Sequence, residues 1–317
     1  MQINFNLFQK TSRNNQQDNS MNRKRSKIRL ISLLLTPFLL VALGYGSYLF
    51  WYSHRAQPSS ESRELFQGIH YIREVTKIPV ALVTHLVEIK LNTPGLSFLV
   101  TPGERGKKLP LKARTTSAFA EEFKTQLAIN GDFFYPWHSN GVFNYYPHVG
   151  DPVTVEGYAA SRGVPYSEEK DKGKFPTLYL SEQNEVSFMR PAKVYNAISG
   201  LWKILEKGKP TPFADPLRHP EKEPRSAVGI SQDRKTLYLL VIDGRQPHYS
   251  EGATVQEVAQ TLIRYGASEA ILLDGGGSSC LVSQEKSGDY KTLNSVIDKR
   301  IPGRQRPIAN HLGVFVK

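Results

Sequence analysis

The stretch Ala270–Ser279, AILLDGGGSS, carries the strongest local signal in the chain. Its apolar first half is typical of a buried β-strand, and three glycines follow Asp274 directly. Glycine lacks a Cβ atom and tolerates positive φ, so the N–H groups of such a turn can converge on an anion. A tight hairpin turn capped by Asp and Ser is the alternative. The first interpretation predicts a catalytic carboxylate, Asp274, beside a substrate-binding turn of Gly275, Gly276, Gly277, Ser278 and Ser279.

The segments around this turn predict an α+β domain. Thr254–Tyr265 has an apolar helical face, a capping box at Thr254 and Glu257, and Gly266 after its end. Ser117–Lys124 and Val194–Glu206 are the other predicted helices. Strands are predicted at Val80–Leu91, Leu96–Thr101, Leu127–Asn130, Leu178–Leu180, Val186–Phe188, Ala227–Ile230, Leu237–Ile242, Ala270–Leu273, Cys280–Ser283 and Leu312–Val316. Because many strands follow one another directly, we expect a mixed, largely antiparallel sheet flanked by helices. Asp132–Lys174 and Lys207–Pro224 read as long loops, which are often functional.

Further candidate residues lie next to predicted strands. Asp243 ends one strand and is followed by Gly244 and Arg245, so Asp243 and Asp274 are a candidate carboxylate pair. An ordinary Asp-Gly turn is the alternative. The guanidinium groups of Arg225 and Arg306 suit phosphate, although each arginine by itself is more typical of a solvated surface.

Other residues give weaker indications of chemistry. Asn130 is a candidate donor to a substrate oxygen, and an Asn-Gly turn is the alternative. The histidines show no zinc-ligand spacing, G-x-S-x-G is absent, and Cys280 is expected to be a buried, inert thiol. The sequence therefore predicts no cofactor and no metal ligand, and leaves the involvement of a divalent metal open.

Half of the net charge of +12 lies in the first 29 of the 317 residues. Residues 1–29 hold seven basic side chains and one acidic side chain, a net charge of +6. The uncharged segment Leu30–Trp51 follows, and as a helix it would span ~33 Å, enough for a bilayer core of ~30 Å. The basic residues before it predict a cytoplasmic N-terminus, with the main domain outside the cytoplasm.

The predicted organisation has four parts. They are a basic cytoplasmic tail (1–29), a transmembrane anchor (30–52), a linker (53–70) and one domain (71–317). A cleaved signal peptide is the alternative for the N-terminal part, although its apolar region is usually shorter, ~7–15 residues. The charges of the outer domain form no dense basic run, which disfavours a nucleic-acid partner.

Four sequence blocks stand in order along the chain: AINGDFF (128–134), RSAVGI (225–230) with VIDGR (241–245) and SEG (250–252), LLDGGGSS (272–279), and RPIANHLGVF (306–315). Together they resemble the phosphodiester glycosidase domain, the domain of N-acetylglucosamine-1-phosphodiester α-N-acetylglucosaminidase and its bacterial relatives. The resemblance covers about residues 80–317. Asp132 departs from it, since a glycine or another small residue is more usual there.

The resemblance implies hydrolysis of a sugar-1-phosphodiester at its anomeric carbon. A phosphate leaving group is already a weak base, with a second pKa of ~6, and needs little protonation. Asp274 or Asp243 would act on water or on the anomeric carbon, while Arg225, Arg306, Asn310 and the glycine turn would hold the phosphate. The expected partners are a sugar-phosphate or glycan substrate of the cell envelope and the membrane. The alternative is a non-catalytic module that binds anionic envelope glycan or assists exopolysaccharide assembly.

Overall fold

The computed structural model describes residues 3–141, 144–167 and 174–316, in two compact units. The first unit, Met1–Ser53, contains one helix, α1 (Ile3–Ser53), with Pro37 inside it. Its part Arg29–Ser53 is long and apolar enough to cross a membrane, a property that signal sequences share. Parts of the predicted loop Asp132–Lys174, namely 142–143 and 168–173, lie outside the described residues.

The second unit, His54–Lys317, combines two further helices with antiparallel sheets. The helices are α2 (Thr116–Phe123) and α3 (Val255–Arg264). The strands are β1 (Glu61–Phe66), β2 (Ile69–Thr76), β3 (Leu82–Lys90), β4 (Ser97–Val100), β5 (Leu111–Lys112), β6 (Leu127–Asn130), β7 (Phe134–Tyr135), β8 (His138–Ser139), β9 (Tyr145–Tyr146), β10 (Pro152–Val155), β11 (Ala159–Ser161), β12 (Val164–Ser167), β13 (Thr177–Leu180), β14 (Val186–Ser187), β15 (Asn196–Ser199), β16 (Trp202–Glu206), β17 (Lys209–Pro210), β18 (Arg225–Ser231), β19 (Thr236–Ile242), β20 (Ala267–Leu272), β21 (Leu281–Gln284), β22 (Tyr290–Thr292) and β23 (His311–Phe315).

Two sheets carry the strand ends on which the candidate site depends. The largest sheet has eight strands in the order β1-β2-β3-β19-β18-β20-β16-β17. A five-stranded sheet has the order β22-β21-β6-β23-β4, and a second five-stranded sheet has the order β12-β11-β15-β13-β14. All strand pairs among the described residues of these sheets are antiparallel, which confirms the predicted α+β class.

Each short helix covers one sheet. The apolar face of α3 packs with Leu240, Ile242 and Leu272 of the eight-stranded sheet. The predicted capping box is confirmed, since Glu257 accepts from the N–H of Thr254 at 2.7 Å and the Thr254 hydroxyl accepts from the N–H of Glu257 at 3.2 Å. This contact accounts for Glu257 without a catalytic role.

The predicted helix Val194–Glu206 is wrong. The segment forms β15 and β16, separated by Gly200. A Cβ on Gly200 would lie 2.3 Å from the carbonyl oxygen of Leu272, and the next residue donates its N–H to that carbonyl at 2.8 Å. All four residues of β15 are buried, so the strand lacks the apolar alternation that distinguishes a half-buried strand from a helix.

The linker predicted at 53–70 is too long. Strand β1 and the beginning of β2 occupy 61–70, and Glu61 pairs with Arg73. Strand β1 lies at the edge of its sheet, and its central residues Ser62, Arg63 and Glu64 are exposed. Charged, exposed edge strands lack the apolar pattern by which strands are recognised in a sequence.

Candidate active site

The site begins where strands of two sheets end next to one another. In the eight-stranded sheet, Arg225 at the beginning of β18 pairs with Ile242 at the end of β19, and Ala227 pairs with Leu272 at the end of β20. The N–H of Asp274 then donates to the carbonyl of Gly131, just beyond β6, at 3.0 Å. These contacts bring the segments that follow β6, β19 and β20 to one edge of the fold.

A cavity of about 340 Å³ opens at this edge. Six of the predicted site residues line it: Asp274, Gly275, Gly276, Arg225, Arg245 and, from the segment before β23, Arg306. Glu223 and three aromatic side chains complete its lining: Phe133, Phe134 and Trp137. The cavity therefore combines two carboxylates, three guanidinium groups and an aromatic wall.

Asp274 is a desolvated carboxylate held between donors. Asp274 is only 7% exposed, and the Ser278 hydroxyl donates to its Oδ2 at 2.5 Å. Burial raises the pKa of Asp274 above its usual value, while Arg306, the Ser278 hydroxyl and the N–H of Gly275 oppose that rise. A carboxylate in this setting can act as a base or a nucleophile on a bound substrate.

The three arginines are fixed by other parts of the protein. Arg225 donates from Nε to the carbonyl of Ala253 at 2.9 Å and from Nη2 to that of Glu221 at 2.8 Å. Burial lowers the pKa of Arg225, which remains a cation because guanidinium starts far above neutrality. Arg245 forms a short ion pair from Nε to Glu223.

Arg306 connects the cavity to the glycine turn. Its Nε donates to Asp298 at 2.9 Å and its Nη1 to the Ser278 hydroxyl at 3.2 Å. Since Ser278 in turn donates to Asp274, one hydroxyl orders both a cation and the carboxylate. Preorganised cations of this kind stabilise negative charge without reorganising during a reaction.

Asp243, which the sequence predicts as the second catalytic carboxylate, does not line the cavity. Its Oδ2 lies 3.1 Å from Nε2 of His85, and Oδ1 accepts from the N–H of Ser295 at 2.8 Å and from Asn294 at 3.2 Å. His85 also contacts the Tyr71 hydroxyl through Nδ1 at 2.7 Å. The carboxylate of Asp243 is fully buried, and these neighbours satisfy its hydrogen bonds. These contacts explain why an acidic residue stands at this strand end without a catalytic role.

The predicted anion-binding nest would have few free donors in the glycine turn, because most of its N–H groups are bonded within the protein. Three of its N–H groups donate to backbone carbonyls: Gly276 to Pro224, Ser278 to Gly275, and Ser279 to Gly276. The glycines instead allow close approach of the arginines. A Cβ on Gly277 would lie 2.3 Å from Oδ1 of Asp298 and 2.5 Å from Nη2 of Arg306.

Asn130 and Asn310 do not line the cavity but hold the segments that form it. Asn130 is fully buried, accepts from the Ser226 hydroxyl at 2.7 Å and from the N–H of Cys280 at 3.1 Å, and donates to the carbonyl of Asp274. Asn310 accepts from the N–H of Asp132 at 2.8 Å. These asparagines order the chain that carries Asp274 and the aromatic wall.

Gly244 and Ser279 are likewise outside the cavity lining. A Cβ on Gly244 would lie 2.5 Å from the nitrogen of Pro224, so this glycine lets two segments pass closely. Ser279 is 2% exposed, and its carbonyl accepts from Asn294 at 3.2 Å. Neither residue is part of the cavity lining, and their predicted substrate contacts stay predictions.

Asp132 is a buried acid that the sequence did not single out as functional. Its two carboxylate oxygens accept from the N–H groups of Phe133 at 2.7 Å and Gly157 at 2.9 Å. Burial, together with the nearby charge of Asp274, raises the pKa of Asp132 to about 7. The residue therefore orders the loop that carries the aromatic wall, and its charge state changes close to neutral pH.

Glu223 and Trp137 were also missed by reasoning from the sequence. Both lie in segments that read as loops, without a motif or a periodic pattern. Glu223 reaches the cavity because Gly252 packs directly against its backbone. Gly252 has φ of +108°, and a Cβ on this residue would lie 2.7 Å from the backbone of Glu223. Trp137 is half exposed and lies 5.2 Å from the guanidinium carbon of Arg306, measured to the ring centre.

Among the described residues, neither a cluster of metal ligands nor an exposed thiol is found at the site. Within 3–141, 144–167 and 174–316, no three His, Cys, Asp or Glu side chains cluster as metal ligands. Cys280 is buried as predicted, and burial raises the pKa of its thiol to about 12. An un-ionised, enclosed thiol is a poor nucleophile.

Comparison with known families agrees with this arrangement. The family model for phosphodiester glycosidase matches residues 123–315, which include the Asn130 block, the three arginines and the Asp274 turn. The chain belongs to the phosphodiester glycosidase family. The resemblance in its four sequence blocks is thereby confirmed.

Individual relatives are distant. The SPbeta prophage-derived uncharacterized protein YomE of Bacillus subtilis (strain 168) is 27% identical over 208 residues, which are 63% of this chain and 29% of YomE. This chain therefore spans less than a third of the length of that relative.

Two solved structures share the fold at low sequence identity. The zebrafish N-acetylglucosamine-1-phosphodiester alpha-N-acetylglucosaminidase catalytic domain, auto-inhibited by its pro-peptide, matches with a TM-score of 0.55 at 19% identity, over 84% of this chain and 86% of that one. A hypothetical protein from Synechocystis matches with a TM-score of 0.54 at 15% identity, over 82% and 64%.

Proposed function

We propose that the protein hydrolyses a sugar-1-phosphodiester, releasing the free sugar and a phosphomonoester. The observation that carries the proposal is the convergence of Arg225, Arg245 and Arg306 with the buried carboxylate of Asp274 in one cavity. Membership of the phosphodiester glycosidase family supports the same reaction class. The zebrafish relative is named for an N-acetylglucosamine-1-phosphodiester, which makes N-acetylglucosamine the first sugar to test.

The two halves of the cavity suit the two halves of such a substrate. Guanidinium forks match phosphate oxygens, so Arg225, Arg245 and Arg306 would hold the phosphodiester. The apolar faces of sugars pack on aromatic rings, so Trp137 and Phe133 would lie against the sugar. This orientation places the anomeric carbon between the arginines and the aromatic wall.

In the proposed reaction, the bond between the anomeric carbon and the bridging oxygen breaks. Its electron pair stays on the phosphate oxygen, whose negative charge the arginines stabilise. An oxygen atom from water forms the new bond to the anomeric carbon, and the water gives up one proton to a carboxylate. A phosphate leaving group has a second pKa of ~6, so its departure needs little assistance from an acid.

Asp274 and Glu223 are the carboxylates that line the cavity and so can touch the reacting atoms. We assign to Asp274 the reaction at the anomeric carbon, because Ser278 and Arg306 hold it in place. Glu223 is the second carboxylate of the pair. Retention or inversion at the anomeric carbon then reports whether Asp274 attacks the carbon or activates water.

A hydrolysis assay tests the proposal. The full-length chain, purified in detergent, would be incubated with α-N-acetylglucosamine 1-(methyl phosphate), and free sugar would be measured. Turnover that disappears in Asp274→Asn but persists in Asp233→Asn, a change at an exposed turn, supports the reaction. Saturable binding without release of sugar across a panel of sugar phosphodiesters would contradict it and favour a non-catalytic glycan-binding module.

The helix α1 suggests where the reaction takes place. We propose that 30–52 anchors the chain with its N-terminus in the cytoplasm and 54–317 outside, where cell-envelope glycans are available as substrates. The length and hydropathy of Arg29–Ser53 support the anchor, and the basic residues before it support the orientation. Retention in the membrane after alkaline carbonate extraction is expected. A soluble protein beginning near residue 50 would instead identify a cleaved signal peptide.

A further inference from the structure

A second group of cations lies next to the cavity, around the carboxylate of Asp298. Arg306 donates to one oxygen of Asp298 at 2.9 Å, and Nε of Arg304 lies 3.4 Å from the other oxygen. Nζ of Lys299 lies 3.4 Å from the centre of the Tyr145 ring, and the guanidinium carbon of Arg304 lies 5.0 Å from the same ring. Two guanidinium groups thus share one carboxylate, and the ammonium group of Lys299 lies over the same ring as Arg304.

Lys299 is the cation that is least well satisfied. Its Nζ is shielded from solvent and has no hydrogen-bond partner among the described residues. An ammonium group carries three donors, and enclosing it without acceptors is unfavourable. Burial and the charge of Arg304 both lower the pKa of Lys299. A bound anion would supply the missing acceptors, and its charge would oppose this lowering of the pKa.

The backbone at this point is also unusual. Lys299 and its neighbour Arg300 have φ of +52° and +59°, the left-handed region that residues with a Cβ avoid. Two such residues in succession are maintained only when the surrounding structure enforces them, and conformations of this kind concentrate at ligand sites. The strained turn and the unsatisfied ammonium group are independent observations at one place.

The cluster lies beside the cavity and shares two lining residues with it. Trp137 and Arg306 line the 340 Å³ cavity and also a second, small hollow that Lys299, Arg304 and Tyr145 line. This hollow has a volume of only about 20 Å³, room for about one water molecule. An anion would therefore meet Arg304 at its opening, and it would reach the shielded Nζ of Lys299 once that side chain turns away from the Tyr145 ring. A group joined to the scissile phosphate and passing Arg306 reaches that opening.

We propose that Lys299 and Arg304 form a second anion subsite that takes the distal phosphate of a diphosphate-linked sugar. This inference rests on the proposed function for its substrate class, since it names the leaving group as a diphosphate. Arg306 contacts both phosphates, and the sugar lies on the Trp137 side of the cavity. The bond that breaks is still the one between the anomeric carbon and the proximal phosphate.

Binding of inorganic pyrophosphate to the full-length chain tests the subsite without requiring turnover. In isothermal titration calorimetry, we expect pyrophosphate to bind at least about tenfold more tightly than inorganic phosphate. Lys299→Met and Arg304→Met should weaken pyrophosphate about tenfold and phosphate less than twofold, as expected for one charge-assisted contact. Lys235→Met is the matched control, because Lys235 lies in the exposed turn at the opposite end of β18 and β19.

The kinetics of hydrolysis provide a second test of the subsite. UDP-N-acetylglucosamine and a short prenyl-diphospho-N-acetylglucosamine carry the same diphosphate with different distal groups, and N-acetylglucosamine 1-(methyl phosphate) has a single phosphate. Lys299→Met should lower kcat/KM for both diphosphate substrates about tenfold and leave the methyl ester within twofold. A larger loss for one diphosphate substrate would identify a nucleotide or a lipid as the distal group.

The outcomes separate the subsite from the proposed reaction. Equal effects of Lys299→Met on pyrophosphate and phosphate binding, or no effect on either, overturn the subsite even if all substrates are hydrolysed. Selective pyrophosphate binding that depends on Lys299, in a chain that hydrolyses no sugar substrate, supports the subsite and overturns the reaction.

Discussion

The side-chain amide of Asn130 donates a 2.7 Å hydrogen bond to the backbone carbonyl of Asp274, so the ends of β6 and β20 are joined directly beneath the cavity. The same asparagine accepts from Ser226 and from the N–H of Cys280. Asn130 therefore positions the site and connects the two sheets. Because it is fully buried, each of its contacts replaces a contact with water.

Replacing Asn130 should damage stability and activity together. Asn130→Ala leaves three buried polar groups without their partner, and we expect a loss of about 2–4 kcal/mol in the free energy of unfolding. In the fraction that remains folded, kcat should fall at least about tenfold because Asp274 is no longer held. Urea unfolding and sugar release measure the two effects. Asn92→Ala, a change at an exposed residue, is the control, and an Asn130→Ala variant of unchanged stability would contradict the role.

The protonation of Asp132 should affect stability near neutral pH. Its pKa is about 7 in the folded protein and ~4 in an unfolded chain, so the folded state binds the extra proton between these values. The free energy of unfolding should therefore decrease as the pH rises from about 4 to 7, by at most about 4 kcal/mol from this group.

Urea unfolding at several pH values tests this contribution. The slope between pH 4 and 7 should become less negative in Asp132→Asn, which cannot ionise. Asp289→Asn, in the exposed turn between β21 and β22, serves as the comparison. A pH dependence that is identical in the wild type and Asp132→Asn would exclude titration of Asp132 in this range.

The glycine turn should be intolerant of a single methyl group at Gly277. The added Cβ of Gly277→Ala would lie within 2.5 Å of Asp298 and Arg306, so the arginine must move away from the phosphate. We expect a higher KM and a stability loss of about 1–3 kcal/mol from overpacking. Gly141→Ala, where the new Cβ meets nothing within 4 Å, should leave KM unchanged. Equal KM values for the two variants would contradict this role of the turn.

Trp137 should contribute to binding of the sugar. Trp137→Ala removes a half-exposed ring that lines the cavity, and we expect KM to rise about tenfold with a smaller change in kcat. Trp137→Phe, which keeps an aromatic face, should restore most of the affinity. If Trp137→Phe and Trp137→Ala are equally impaired in KM, stacking is not what the ring provides.

The contrast between Asp274 and Asp243 shows how far sequence patterns determine this site. Both acids follow apolar strands and precede glycine, and that pattern correctly locates both at the same edge of the sheet. Which of them faces the cavity depends on the partners that each meets in the folded chain. The carboxylate of Asp243 is hydrogen-bonded by His85, Asn294 and Ser295, which are distant from it in the sequence.

Apolar patterning predicts the fold better than it predicts the loops. The strands that flank the site and both short helices of the second unit follow from apolar periodicity and capping residues. Glu223 and Trp137 reach the cavity through segments that have no such pattern, held by close approaches such as that of Gly252. The fully buried β15 and the exposed edge strand β1 also lack the alternation on which strand prediction depends.

Identifying which bond is broken is the most direct test of the proposed glycosidase reaction. N-acetylglucosamine 1-(methyl phosphate) would be hydrolysed in water enriched in ¹⁸O, and the methyl phosphate product analysed by ³¹P NMR and mass spectrometry. Cleavage at the anomeric carbon predicts methyl phosphate without ¹⁸O, formed by the wild type and not by Asp274→Asn. Methyl phosphate containing ¹⁸O would show attack at phosphorus and contradict the glycosidase mechanism.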